Sequence, residues 1–510
     1  MPKDEIVIVG AGMGGLSAAL KLAAKGLSVT LVEARKEVGG KVRALPVGSR
    51  PIDGGPTVFT MRWVFEELFD EAGLEFSDFV ELSRCDVLAR HAWDERGYLD
   101  LFGDVERSTD AIAAFCGSSE ARAFQSFARQ AAEMYELLEE PFLRSSKPSV
   151  MSLSAHLGFR GFSVQPFSTL WQSLSKVFSD PRLIQLFGRY STYTGASPFS
   201  APATLMLIAH VEMQGVWQVS GGMKNLALAM RRACEAKGVT VRTDCPVERI
   251  ETDGGKVSAV LLSSGERFGA NAVIANTDAS ALGTGMLGRE VAGAAEPVPP
   301  SQRSLSAIAW TLEANTSGFD LSHHNVFFGS DYPEEFEATL QRGKFPNDPT
   351  VYLCAQDRSA NAQMASITDA ERMLMVINAP PHGDTNGTLN EEMIACAERA
   401  LQRLEACGLT VSVDEAASVQ TGPVGFSQLF PGSGGALYGR ANHSPFASFK
   451  RADNRTAVPG LYLAGGSVHP GPGVPMAALS GRLAAAAYLA DRTSTLSRPR
   501  AVTVGGTLTA

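Results

Sequence analysis

The sequence predicts an α/β protein of at least two domains, on three observations. The chain opens on a short β-branched run, Glu5 to Val9, that passes directly into glycines and then into a helical pattern. Strand and helix patterns alternate again between about residues 220 and 300, and once more near the C-terminus. With 510 residues and 45% hydrophobic content, the chain exceeds one core, since single cores seldom grow beyond about 250–300 residues.

Taken in order, Glu5 to Val9 (EIVIV) is the type of segment that becomes a buried parallel strand. Leu16 to Lys25 carry apolar residues at helical spacing, and Leu27 to Val32 read as a second strand, so a βαβ unit begins at once. Val64 to Gly73 is helical, and Val87 to Phe102 alternates around Gly97 as strands of a separate sheet. Ser108 to Gln214 is mostly helical, rich in Phe, Leu and Met and broken by prolines, which marks a helical insertion. Next come a helix (Leu226 to Lys237), strands (Val239 to Arg242, Val247 to Thr252), a hairpin at Asp253-Gly254-Gly255 and a strand at Ala272 to Ala275. Strands at Ala307 to Leu312, Thr350 to Ala355 and Met373 to Ile377 with a helix at Glu391 to Cys407 complete the second sheet; Leu461 to Ala464 and a helix at Ala477 to Ala490 close the chain.

The predicted organisation is therefore a discontinuous Rossmann-like domain of residues 1–85, 220–300 and 451–492, and a mixed-sheet substrate domain of 86–219 and 301–450 that carries the helical insertion. Residues 493–510, dominated by Ser, Thr, Pro and Gly, read as a disordered tail.

Net charge is −9 without basic runs, which argues against nucleic acid as a partner. The seven cysteines are scattered and include no C-x-x-C, so neither a disulfide framework nor a zinc or other metal site is expected, and a reducing cytoplasm fits. No signal peptide is read at the N-terminus. The best apolar stretch, Ala201 to Ala209, is about half of what spans a bilayer, so any membrane contact is peripheral.

Gly10-Ala11-Gly12-Met13-Gly14-Gly15 is a G-x-G-x-x-G between strand and helix, with Glu33 ending the following strand. Gly10 permits the turn, Gly12 lets backbone approach a pyrophosphate, Gly15 allows close helix–strand packing, and Glu33 would accept from ribose hydroxyls. Glu33-Ala34-Arg35 then leads to Gly39-Gly40-Lys41-Val42-Arg43. A plain NAD site does not explain this addition. It is similar to the extended fingerprint of flavoproteins, which moves the expected cofactor to FAD; Lys41 and Arg43 read either as phosphate partners or as ordinary surface charges. Asp53-Gly54-Gly55-Pro56-Thr57-Val58 is a third glycine turn. Gly460 to Gly466 is a strand entering glycines, followed by Ser467 to Met476 and a helix whose first turn suits Pro475.

These segments together resemble the bacterial phytoene-desaturase-type family of carotenoid desaturases over nearly the whole chain to about residue 492. The resemblance implies an FAD-binding domain of the amine-oxidase/desaturase type. Gly12, Gly14, Gly15, Glu33, Lys41, Thr57 and Val58 would hold the ADP and pyrophosphate side of FAD. Val247 would pair its backbone with the adenine, while Gly466 and Met476 would lie at the flavin ring. His469-Pro470-Gly471-Pro472-Gly473-Val474-Pro475-Met476-Ala477 resembles the version in hydroxyneurosporene or methoxyneurosporene desaturases of purple bacteria, which insert the 3,4 double bond into 1-hydroxycarotenoids. Pro472 departs from the usual Ala.

The resemblance implies hydride transfer from an apolar carotenoid to flavin N5, in the carotenoid biosynthesis that accompanies photosynthesis, with a quinone or dioxygen as electron acceptor. It also implies a cytoplasmic enzyme held peripherally on the inner membrane. Phe124, Phe127, Phe142, Phe159, Phe162, Phe167, Trp171 and Phe178 would either line a polyene channel or pack as helix core. No catalytic base is identified; His469 and Asp53 are candidates that read equally as structural residues. Competing readings are a phytoene desaturase, a flavin amine oxidase and a non-catalytic isoprenoid-binding escort.

Overall fold

The computed structural model describes residues 5–94, 97–146, 148–158, 167–358, 370–385, 389–444 and 446–496. Five parallel strands form one sheet in the order Leu461–Leu463, Ala272–Ala275, Glu5–Val9, Ser28–Val32 and Thr240–Arg242. Three distant stretches of chain thus meet in a single sheet, with the earliest strand at its centre.

Side-chain alternation explains why both faces are covered. Ile6, Ile8, Leu31 and Ile274 pack against the helices Met13–Ala24, Met223–Ala236 and Val474–Leu496. Val7, Val9, Val32 and Val273 pack instead against a three-stranded antiparallel sheet of Val247–Asp253, Lys256–Leu262 and Arg267–Gly269. A β-branched run without polar alternation has no other way to satisfy both sides. The first and last helices approach closely because neither has a side chain at the contact: a Cβ on Gly481 would lie 2.0 Å from the Gly14 carbonyl oxygen.

The second sheet is mixed. It runs Thr410–Ser412, Ser306–Ser317, Glu371–Ala379, Val351–Ala355, His324–Phe327, Val87–Ala92 and Tyr98–Phe102, with Ser418–Thr421 also paired to Ser306–Ser317. Among the described residues of this sheet, only His324–Phe327 and Val87–Ala92 pair in parallel. One face (Ile308, Trp310, Met373, Met375) is covered by the helix Leu389–Ala406 through Cys396, Ala400 and Leu404. The other face presents Ala307, Ala309, Tyr352 and Val376 to a large cavity.

The insertion is helical, as its pattern predicted. Asp104, Thr169 and Asp180 start helices at Val105–Cys116, Leu170–Val177 and Pro181–Gly188 by accepting from first-turn amides. Its aromatics divide between the two readings. Phe124, Phe127 and Phe178 are buried around Phe187 as core, and Trp171 packs on Phe199. Phe142 and Phe167 line the cavity, whereas Phe159 and Phe162 lie outside the described residues. The last helix extends to Leu496, past the point where the tail was expected to begin; residues 497–510 lie outside the described residues. No described helix is long and apolar enough to cross a membrane.

Candidate functional site

A cavity of about 1210 Å³ runs between the two sheets. Its glycine-rich end is built by the C-terminal ends of the parallel strands, where such folds leave an open crevice. Gly10, Gly12, Gly14, Glu33, Lys41, Thr57, Val58, Val247, Gly466 and Met476 all line it. Gly15 does not: its Cβ would lie 2.0 Å from the Gly10 carbonyl oxygen, so its function is the helix–strand approach.

The polar groups at this end are arranged for an anion. The Met13–Ala24 helix has Gly12 at its N-cap, without a side-chain cap and without an acid in its first turn, so its amides face the cavity free. The Val474–Leu496 helix brings its own first turn, Val474 to Ala477, to the same cavity. Arg35, Lys41 and Arg43 gather on the rings of Phe430 and Phe426, at 5.0, 5.2 and 5.6 Å from the centroids. Burial lowers the pKa of all three, that of Arg43 to about 10. Lys41 and Arg35 donate to the backbone carbonyls of Leu437 and Leu429, and Arg43 to Thr421 at 2.9 Å. These are desolvated cations held by neutral acceptors, and Lys41 and Arg43 are half-buried rather than fully solvated surface charges.

Glu33 is fixed by the amides of Ala11 (2.7 Å) and Arg35 (3.1 Å), which leaves carboxylate lone pairs toward the cavity. Asn276 was missed by sequence reasoning. It follows the Ala272–Ala275 strand, donates to the Gly10 carbonyl at 3.0 Å, and stands where a Cβ on Gly14 would fall 2.6 Å from its Oδ1. A polar side chain just past a parallel strand was the signal that could have found it.

The two acid–base candidates do not face the cavity. Asp53 accepts from the amides of Met223 (2.6 Å) and Lys224 (3.1 Å), capping a helix from a distant segment. His469 is buried, pairs with the Ser145 carbonyl at 2.9 Å, and is pushed down to about 4 by burial.

Beyond Thr57 the cavity turns apolar, with one polar knot that the sequence did not reveal. Thr57 Oγ1 lies 2.6 Å from the Tyr352 hydroxyl, which lies 2.7 Å from His324 Nδ1. Arg189 reaches in beside it, 5.4 Å from the Tyr352 ring and 5.7 Å from that of Tyr193. Behind Tyr352, buried His323, His324 and Cys354 bring potential ligand atoms within 4.8 Å of one another. Burial raises the Cys354 pKa far above the ordinary thiol range, so this group offers two imidazoles and a neutral thiol. At its far end the cavity reaches the surface between Val150, Phe167 and Phe446.

The model of the family described as flavin-containing amine oxidoreductase matches residues 13–489. The chain is 48% identical to a hydroxyneurosporene desaturase of Rubrivivax gelatinosus, over 98% of this chain and 96% of that protein. A protein of the same name from Cereibacter sphaeroides is 43% identical over 96% of this chain and 98% of its own. A putrescine oxidase variant shares the fold with a TM-score of 0.60 at 16% identity, covering 96% of this chain and 99% of its own. The crevice for an anion, the glycine turns and the family match converge: the chain belongs to the flavin-containing amine oxidoreductase family and is an FAD-dependent oxidoreductase.

Proposed function

We propose that the protein is a carotenoid desaturase that inserts the C3–C4 double bond into an acyclic 1-hydroxycarotenoid. The observation that carries this reading is the apolar arm of the cavity, continuous with the glycine-rich end and open between Val150, Phe167 and Phe446. It has the shape a long polyene with few polar handles requires. The names of the relatives at 48% and 43% identity support it. Against an amine substrate, the acidic side chains in the wall are Glu33 and Asp278, both at the glycine-rich end.

Gly12, Gly14, Glu33, Lys41, Thr57, Val58 and Val247 would hold the ADP and pyrophosphate portion, and Gly466 and Met476 the ring. Bound FAD supplies the hydride acceptor at N5. The chain's contribution is to bind, orient and exclude water: the first turn of the Val474–Leu496 helix would turn its positive dipole end toward the ring, and the apolar arm would hold the polyene. The domain organisation proposed from the sequence places this cavity between the two units.

Val150, Met151, Phe167 and Phe446 are exposed, Met151 and Phe167 each to 81%. The position of Val150, Phe167 and Phe446 at the cavity mouth, with Met151 next in sequence to Val150, supports docking on a membrane surface, where a carotenoid partitions. Electrons leave the cofactor for a quinone or dioxygen. The test is anaerobic incubation of FAD-loaded protein with 1-hydroxyneurosporene in liposomes, in parallel with phytoene. Loss of oxidised-flavin absorbance with a red-shifted polyene from the hydroxylated compound alone is expected. Reaction with phytoene moves the enzyme to an earlier step, and no reaction with either refutes the desaturase reading.

A further inference from the structure

We propose that Arg189 reads the oxygen of the substrate, and so sets which carbon–carbon bond meets the flavin. This inference rests on the desaturase reading of the cavity and deepens it.

Arg189 ends the Pro181–Gly188 helix and lines the cavity's apolar arm. Its nearest counter-charge, Glu212, is already engaged: its two oxygens accept from the hydroxyls of Tyr190 (2.7 Å) and Tyr193. One phenol therefore stands between carboxylate and guanidinium. Burial opposes charge on Arg189, but Tyr193, Tyr332, Glu212 and Tyr352 outweigh it and hold the pKa above its ordinary value. The result is a permanent cation on aromatic faces, in an arm of the cavity whose other polar lining groups, among them Thr192, Thr194, Thr350 and Asn378, carry no charge. A guanidinium has five donors and no acceptor, so its complement is an oxygen with lone pairs. An acyclic carotenoid hydroxylated at C1 carries that oxygen at one end, a few bonds from C3 and C4.

Location supports the same assignment. The Tyr352 ring under Arg189 is hydrogen-bonded to Thr57 of the third glycine turn, so an oxygen held here lies beside the cofactor end and not at the mouth. The polyene then extends outward along the apolar arm. Donor-only recognition also distinguishes Arg189 from Glu212 as reader: a methyl ether at C1 accepts as well as the alcohol, whereas a carboxylate reader needs the alcohol's hydrogen.

The test compares wild-type holoenzyme with Arg189→Met and Arg189→Lys in liposomes, offering 1-hydroxyneurosporene and neurosporene in competition and measuring the ratio of kcat/KM. FAD content, melting temperature and retention of each carotenoid by the oxidised holoenzyme are read alongside. Arg189→Met should lower kcat/KM for the hydroxylated substrate by about 10- to 100-fold, the loss expected for a charge-assisted hydrogen bond. Neurosporene should change by less than about threefold, and the methyl ether should fall in parallel with the alcohol. Arg189→Lys, which keeps the charge, should recover part of the preference; if Arg189→Met fails to load FAD, that comparison decides. An unchanged ratio in variants with full FAD content overturns the assignment of Arg189. A wild-type enzyme that turns over neither compound instead removes the desaturase reading itself, and the assignment with it.

Discussion

Gly481→Ala tests whether the close approach of the first and last helices positions the cofactor end of the cavity. The new Cβ would lie 2.0 Å from the Gly14 carbonyl oxygen, 2.8 Å from its carbon and 3.0 Å from the Ala18 nitrogen. These are backbone atoms, so no rotamer relieves the contact. Ordinary contact begins at 3.4 Å, so the helices must separate by about 1.4 Å. Overpacking of this kind costs about 1–3 kcal/mol. Because Gly14 lines the cavity and sits against the Gly465 nitrogen, the displacement reaches the amides that face the anion. The expected result is a lower melting temperature in the apoprotein and FAD affinity weaker by about 10- to 100-fold, about 1.4 kcal/mol per factor of ten. Affinity is measured by titrating FAD and following its fluorescence. Gly293→Ala is the control, since nothing lies within 4 Å of its Cβ, and it should stay within about 0.5 kcal/mol. A Gly481→Ala protein that melts and binds FAD as wild type refutes the reasoning.

Four further outcomes follow from the same geometry. Buried His91, His323 and His469 have pKa values pushed down to about 3, 4 and 4. Each binds its proton less readily folded than unfolded, so stability rises with pH through this window and is lost as pH falls from 6.5 toward 4, by up to about 3 kcal/mol each; melting temperatures independent of pH between 7 and about 4.5 would contradict this. Asp53→Ala should lower stability by about 0.5–2 kcal/mol through loss of the cap on Met223–Ala236 and leave the pH profile of turnover unchanged; a displaced profile would restore Asp53 as an acid–base group. Lys41→Met should weaken FAD binding by about 10- to 100-fold and reduce its salt dependence. In the wild type, affinity should fall as pH rises through the lowered pKa values of Lys41 and Arg43, and this alkaline limb should become shallower in the variant, which keeps Arg43. Phe167→Ser should reduce sedimentation with lipid vesicles while leaving the unfolding free energy within about 1 kcal/mol of wild type, because the ring is exposed to solvent; unchanged vesicle binding would argue against the mouth as the docking face.

Local chemistry was legible in the sequence, and distant assembly was not. Glu5–Val9, Ala272–Ala275 and the glycines between strand and helix were found because β-branching and glycine act through neighbouring residues. Strand lengths were less clear: Ser306–Ser317 outruns its apolar stretch because its polar end pairs with Thr410–Ser412. The role of Asp53 as a cap is set by Met223, which comes from another segment altogether. Arg189, Tyr352 and Phe430 carry no motif of their own, and become a site only when a helix, the mixed sheet and the Pro423–Leu429 helix meet. Arg35, Lys41 and Arg43 were visible as charges, but their burial on two phenylalanines was not.

The order of strands in the parallel sheet also constrains when the protein can become competent on the ribosome. Its central strand, Glu5–Val9, emerges first, yet one neighbour is Ala272–Ala275 and the edge beyond that is Leu461–Leu463. The nascent strand–turn–helix must therefore wait, unpaired on that side, until Ala272–Ala275 is made, and that strand in turn waits for Leu461–Leu463 while the strands from Ser306 to Thr421 are made. Such non-local pairing folds slowly and leaves apolar edges open to chaperones. Since Gly465 to Ala477 complete the cavity wall, the glycine-rich end of the cavity is whole, and ready for FAD, only after that segment has left the exit tunnel.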